Sequence, residues 1–170
     1  KLHELKNIKF KNSNDYNNLL YDENFWSIFR TKKKVLLMQE DTFIFKDNIK
    51  DFLHFDYIGA PWPSSILKNK NVQVGNGGFS LRSMDLVFHA LQNKDRLIHY
   101  LKKHLKSSYF FSKVNMIPED VFFSFAAIHF GYQVASVDEA KQFSTENIVC
   151  HESMAGHQFW NRDKYWKQRI

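Results

Sequence analysis

Hydrophobic positions are sparse at the start of the chain. Residues 1–34 are polar and rich in Asn and Lys, broken by one apolar island, Phe25-Trp26-Ser27-Ile28-Phe29. The island predicts a short helix over about 22–30 with Asp22 as N-cap. Val35-Leu36-Leu37-Met38 is a continuous apolar run between lysines and acids, the pattern of a buried parallel strand. Residues 42–45 read as a second short strand or a turn. Residues 48–55 read as a helix with Ile49, Phe52 and Leu53 on one face. Tyr57-Ile58 reads as a brief strand stopped by Gly59-Ala60-Pro61-Trp62-Pro63, because proline ends a ladder and restricts its predecessor.

A polar loop over 64–73 leads to Val74-Gly75-Asn76-Gly77-Gly78-Phe79-Ser80-Leu81-Arg82-Ser83, which holds three of the six glycines of the chain. Glycine serves where the backbone needs positive φ or must approach a ligand closely. The run predicts a tight glycine turn feeding a strand over 79–81, with Gly77 or Gly78 at positive φ or lining a ligand wall. Ser83 caps a predicted helix over 84–92 whose Leu86, Val87, Ala90 and Leu91 face inward. A second amphipathic helix is predicted over 95–106 and an aromatic loop over 107–117. Pro118 suits a first helical turn, and Glu119 and Asp120 suit a helix N-terminus. That helix runs over 121–130 and stops at Gly131. A strand over 132–135, a short helix over 140–143 and an aromatic, basic tail from 151 complete the chain. Strands alternating with helices predict an α/β class, as one domain over 1–170 with a motif-bearing part over 35–160.

A content of 44% hydrophobic and 16% aromatic residues supplies a packed core and excludes a disordered chain. No apolar run approaches the roughly 20 residues of a membrane span. The single cysteine, Cys150, excludes an internal disulfide. A single cysteine fits a reducing compartment and equally a secreted domain that needs no bridge; together with the lack of a secretory signal or membrane segment in this chain it favours the cytoplasm. Lys1, with no preceding Met, reads as the start of a processed piece. A net charge of +6, from 24 basic and 18 acidic residues, favours anionic partners such as sugar nucleotides. The basic clusters at 32–34, 68–70 and 102–106 lack interleaved aromatics, so they read as solvated faces and no nucleic-acid partner is expected. Neither a phosphate loop, a dinucleotide fingerprint nor a zinc spacing occurs. Cys150 beside His151 lacks the orienting motif of a nucleophile.

Four segments, Gln39-Glu40-Asp41-Thr42, Asp56-Tyr57-Ile58-Gly59-Ala60-Pro61-Trp62, the glycine run, and Glu119-Asp120-Val121-Phe122-Phe123-Ser124, form a set in fixed order. The set resembles a glycosyltransferase-like family and, more remotely, the galactosyltransferase and Fringe-type enzymes of the GT-A fold. The resemblance covers about residues 25–160. It implies a GT-A-like mixed sheet flanked by helices, with a shortened N-terminal nucleotide-binding half. The chain departs from the family pattern at Gln39, which stands where an Asp-x-Asp motif has its first acid.

Transfer from a nucleotide sugar leaves charge on a diphosphate, which Mn²⁺ or Mg²⁺ can neutralise with one or two protein carboxylates. Asp41, just past a predicted strand, is the expected metal ligand by position, and the resemblance gives it the same role; Glu40 would point the other way. By the resemblance, His157 matches a late metal-ligating His, with His151 as its rival. The acceptor hydroxyl must lose a proton to a carboxylate; the resemblance makes Asp120 that base and has Glu119 bind acceptor hydroxyls. The helix start is expected to lower the pKa of Asp120 and keep it ionised at neutral pH. Asn76, Gly77 and Gly78 would let substrate lie against the backbone. Trp62 would face a sugar ring or join the core, and Arg82 would pair with phosphate or cover the sheet edge. The expected function is an inverting, metal-dependent glycosyltransferase acting on a nucleotide-sugar donor and a glycan or other hydroxyl acceptor. The alternatives are a non-catalytic carbohydrate- or nucleotide-binding remnant of that fold, and a basic domain for nucleic acid or anionic glycan.

Overall fold

The structure, a computed structural model, describes residues 10–67, 71–105 and 116–161. The elements are α1 (Ser13–Leu20), α2 (Glu23–Ser27), β1 (Lys34–Met38), β2 (Thr42–Ile44), β3 (Tyr57–Pro61) and β4 (Val74–Ser83). They continue with α3 (Met84–Gln92), α4 (Lys94–His104), α5 (Glu119–Phe130), α6 (Val137–Phe143), β5 (Ser144–Thr145) and β6 (Ala155–His157). The helix ends follow local chemistry. Asp22 accepts from the Asn24 N–H at the start of α2, and Ser83 accepts from the Leu86 N–H at the start of α3. Gly131 ends α5 with φ 75°, where a Cβ would be strained.

The strands form two small sheets flanked by helices, an α/β arrangement. One is antiparallel, in the order β1-β4-β3; the other, β2-β6-β5, is mixed, with β5 parallel to β6. Leu86, Val87, Ala90 and Leu91 are all buried, as their helical spacing predicts. Helix α5 is buried nearly all round, with every residue from Val121 through Ala127 in the core. Among the described residues no helix is long and apolar enough to cross a membrane.

Several expectations are corrected. The apolar run at β1 is an antiparallel edge strand, not a buried parallel one, and Leu36 and Met38 are 39% and 58% exposed. The helix expected over 48–55 is one 3₁₀ turn, Ile49–Phe52, with Leu53 exposed. Strand β3 continues through Gly59-Ala60-Pro61 instead of stopping there, because its ladder is irregular at that point and spares the proline an obligatory bond. The strand expected over 132–135 is a single parallel bridge, Tyr57 to Val134. The glycine run is not a turn: all three of its glycines lie inside β4. Parts of the loops expected over 64–73 and 107–117, and the last residue of the helix expected over 95–106, lie outside the described residues.

Candidate functional site

Strand β4 changes its alternation in the middle. Gly59 pairs with Ser80, whereas the next β3 residue, Ala60, pairs with Asn76, so β4 bulges over 77–79. A Cβ on Gly75 would meet Ser124 of α5, and one on Gly77 would meet Glu119 and Asp120. A Cβ on Gly78 would fall on the His157 ring. Phe79 stacks on Phe143, in the same core cluster as Met154 and Ala155 beside His157, so positions 78 and 79 face one side together. Bulges of this kind re-aim strand groups at functional sites. Only Gly75 of the run has positive φ, 146°. Gly77 and Gly78 are small because side chains of two different elements rest on them.

Against Gly77 lies the start of α5. The Gly77 N–H donates to Asp120 Oδ2 at 3.2 Å, and the Val121 N–H donates to Oδ1 at 2.7 Å. Asp120 is densely surrounded by protein yet keeps part of its surface open to solvent. Burial and the neighbouring Glu119 carboxylate push its pKa up to about 7, against the opposing pull of the two N–H groups and Arg82. The expected lowering by the helix start is therefore corrected: desolvation and the Glu119 charge outweigh the N–H groups that the carboxylate meets there.

Glu119 and Arg82 face each other rather than the surface. Arg82 is fully buried, and its guanidinium forks onto Glu119 at 2.5 and 3.1 Å. Arg82 also donates through Nε to Ser80 and lies over the rings of Tyr57 and Phe123. The pair fastens α5 to β4; the phosphate and acceptor contacts expected of these residues have no open path here. Trp62 is likewise 5% exposed and belongs to the larger core cluster, not to a sugar-facing wall. Asn76 is half-buried and accepts from the Gly78 N–H through Oδ1 at 3.1 Å, holding the bulge.

On the Gly78 side, His157 sits between two carboxylates. Its Nδ1 is 3.0 Å from Glu146 Oε2, and its Nε2 is 3.0 Å from Asp41 Oδ1. The second contact has the distance of an ion pair but not hydrogen-bond geometry, which leaves Nε2 buried without a hydrogen-bond partner. Burial works to lower the His157 pKa, but the two carboxylates prevail and raise it. With Nδ1–H donated to Glu146, Nε2 and the Asp41 oxygen are two bases that need a positive charge between them. A proton meets that need, and so would a divalent cation held by Asp41 and His157, for which carboxylate oxygen and neutral imidazole are fitting donors. Glu146 then plays the part of the outer carboxylate that orients a ligating imidazole. Gln158, held at φ 49°, donates from Nε2 to Asp41 Oδ2 at 2.7 Å and fixes the other oxygen. Among the described residues no three His, Cys, Asp or Glu side chains are arranged to hold an ion unaided, so a ligand would supply the remaining donors. His151, the rival histidine, is exposed at the surface.

Asp41 also lines an open cleft of about 490 Å³ with Phe10, Ser13, Tyr16, Met38, Gln39 and Glu40. Tyr16 has Gln39 against it, and burial, then the Glu119 charge, pushes its pKa up to about 12. Sequence reasoning missed Glu146, Gln158 and Tyr16. Gln158 follows His157 directly, but nothing in the spacing of Glu146 or Tyr16 marks them.

Fold and site together define an α/β domain with an Asp–His pair and a second carboxylate on adjacent glycines of one bulged strand. The chain belongs to a family of proteins of unknown function, DUF5672, whose model matches residues 1–158. No curated protein matches the chain.

Proposed function

We propose that this domain is a metal-dependent glycosyltransferase that moves a sugar from a nucleotide-sugar donor to a hydroxyl acceptor with inversion. The observation that carries the reading is the placement of two kinds of chemistry on neighbouring glycines: the Asp41–His157 pair against Gly78, and Asp120 bonded to Gly77. Asp41 and His157 would hold Mn²⁺ or Mg²⁺, which when bound neutralises charge on a departing diphosphate. Asp120 takes the proton of the acceptor hydroxyl as that oxygen bonds to the anomeric carbon, and the electrons of the broken bond leave with the diphosphate. A carboxylate with a pKa of about 7 is well matched to accept a proton near neutral pH. The cleft beside Asp41 gives the donor an approach.

Calorimetric titration with Mn²⁺ and UDP or GDP tests this. Each should bind more tightly in the presence of the other, and Asp41→Ala should weaken the coupled binding by about 1–3 kcal/mol, the scale of a charge-assisted contact. Equal coupled affinity in parent and variant would overturn the assignment. Coupled binding without transfer to any acceptor would favour the binding-remnant reading.

A further inference from the structure

A second pocket lies away from that site, between α4 and the last turn of α5. Its volume is about 350 Å³, and among the described residues Arg96, Leu97, His99, Tyr100, Lys103, His104 and His129 line it, with no carboxylate among them. Arg96, His99 and Lys103 recur at the three- and four-residue spacings that put side chains on one stripe of a helix. The buried Leu97 and Leu101 anchor α4 to the core, leaving Arg96, His99 and Lys103 exposed. The pocket wall is rigid where it is aromatic: the Tyr100 ring lies 10° from parallel to buried Phe125 at 5.1 Å, and the His104 ring rests 4.2 Å from Tyr100.

Charges at the ends of helices often serve the helix dipole, and Lys102, Lys103 and His104 in the last turn of α4 do so. Arg96 lies too early in α4 for that role. Arg96 and Lys103 lie seven residues, about two turns, apart on that stripe, so both fixed positive charges border the same pocket. Among the described residues no ion pair to an acid engages Arg96 or Lys103. We propose that this pocket is an anion site that takes a phosphate group, with Arg96 as the forked donor and Lys103 as the point charge. Nine residues separate His129 from Asp120 on α5, a rise of about 13 Å, so the pocket is distinct from the glycosyl-transfer site proposed above.

The test is thermal melting with inorganic pyrophosphate at constant ionic strength, in EDTA so that no metal-coupled binding contributes. Sedimentation with phosphatidate vesicles is the second arm. Pyrophosphate should raise the Tm of the parent and of Asp41→Ala equally, and Arg96→Gln with Lys103→Gln should bind it at least tenfold more weakly. Without ligand the double variant should melt at the same temperature as the parent, because both side chains are exposed and fasten nothing in the core. Binding to vesicles alone, lost in the double variant, would support the same chemistry with a lipid as its source. No binding in either arm, or equal binding by parent and double variant, would overturn the proposal. Loss of pyrophosphate binding in Asp41→Ala would also overturn it, by assigning the phosphate to the other site.

Discussion

Asp120 is pulled both ways by its position. The N-terminus of α5 offers it two backbone N–H groups, yet burial and Glu119 raise its pKa to about 7. Between the ordinary value of 3.8 and about 7, the folded chain therefore keeps a proton that the unfolded chain has lost. Stability must fall as pH rises through that window. Asp120→Asn removes the pH effect but leaves one of the two backbone N–H groups facing an amide nitrogen that cannot accept; its stability relative to the parent should therefore rise by about 1–3 kcal/mol from pH 4 to pH 8, a figure discounted for the solvent on the open side of Asp120. Urea melts across that range decide it, and parallel pH dependence in the two proteins would refute it. Glu119 predicts the opposite outcome. Glu119→Gln strands a fully buried Arg82 without its counter-charge, which should cost about 3–5 kcal/mol by chemical denaturation. Replacing both partners with apolar residues of similar volume should cost far less. A loss under about 1 kcal/mol for Glu119→Gln alone would show that the pair contributes little.

At the scale of elements, what the sequence discloses depends on whether a residue's partner is local. Caps at Asp22, Ser83 and Gly131, the inward face of α3 and the helix at Glu119 were legible because their determinants lie within a few residues. Asp41, His157 and Asp120 were named from motif order, and the fold brings them to adjacent glycines. Glu146 stayed hidden because only the pairing of β5 and β6 carries it to His157. The β1 run misled because an edge strand can expose apolar side chains that a continuous pattern assigns to the interior. The glycine run misled for a related reason: glycine marks absent side-chain volume as readily as a turn. That distinction can be tested. Gly78→Ala would push on the His157 ring, so it should cost about 1–3 kcal/mol and loosen metal-coupled binding of nucleoside diphosphate. Gly131→Ala meets no neighbour and suffers only its φ of 75°, so it should cost about 1 kcal/mol and leave binding intact. Equal effects of the two variants on binding would show that His157 does not depend on Gly78.

The whole molecule hangs on the antiparallel sheet, because β3 and β4 serve two cores at once. Adjacent strand residues point to opposite faces. Tyr57 accordingly enters the larger core cluster and Ile58 the smaller one. On β4, Phe79 and Leu81 face the smaller cluster with Phe143, while Ser80 and Arg82 face α5. A shared wall should make the two clusters unfold together. Phe143 offers the test: it is fully buried, packs on Phe52 and Phe79, and lies in the cluster without a tryptophan. Trp26 and Trp62 both lie in the other cluster. Phe143→Ala should cost about 3–5 kcal/mol. In a background with Trp160 and Trp166 replaced by Phe, the fluorescence of the two remaining tryptophans should shift to lower denaturant by the same amount as the far-ultraviolet circular dichroism. If the smaller cluster were an independent unit, the fluorescence midpoint would stay at the parent value while part of the dichroism moved. Coincident shifts mean that the Asp41–His157 pair beside the smaller cluster and Asp120 at the head of α5 are held in register by one cooperative fold, as the proposed site, drawing on both faces of β4, requires.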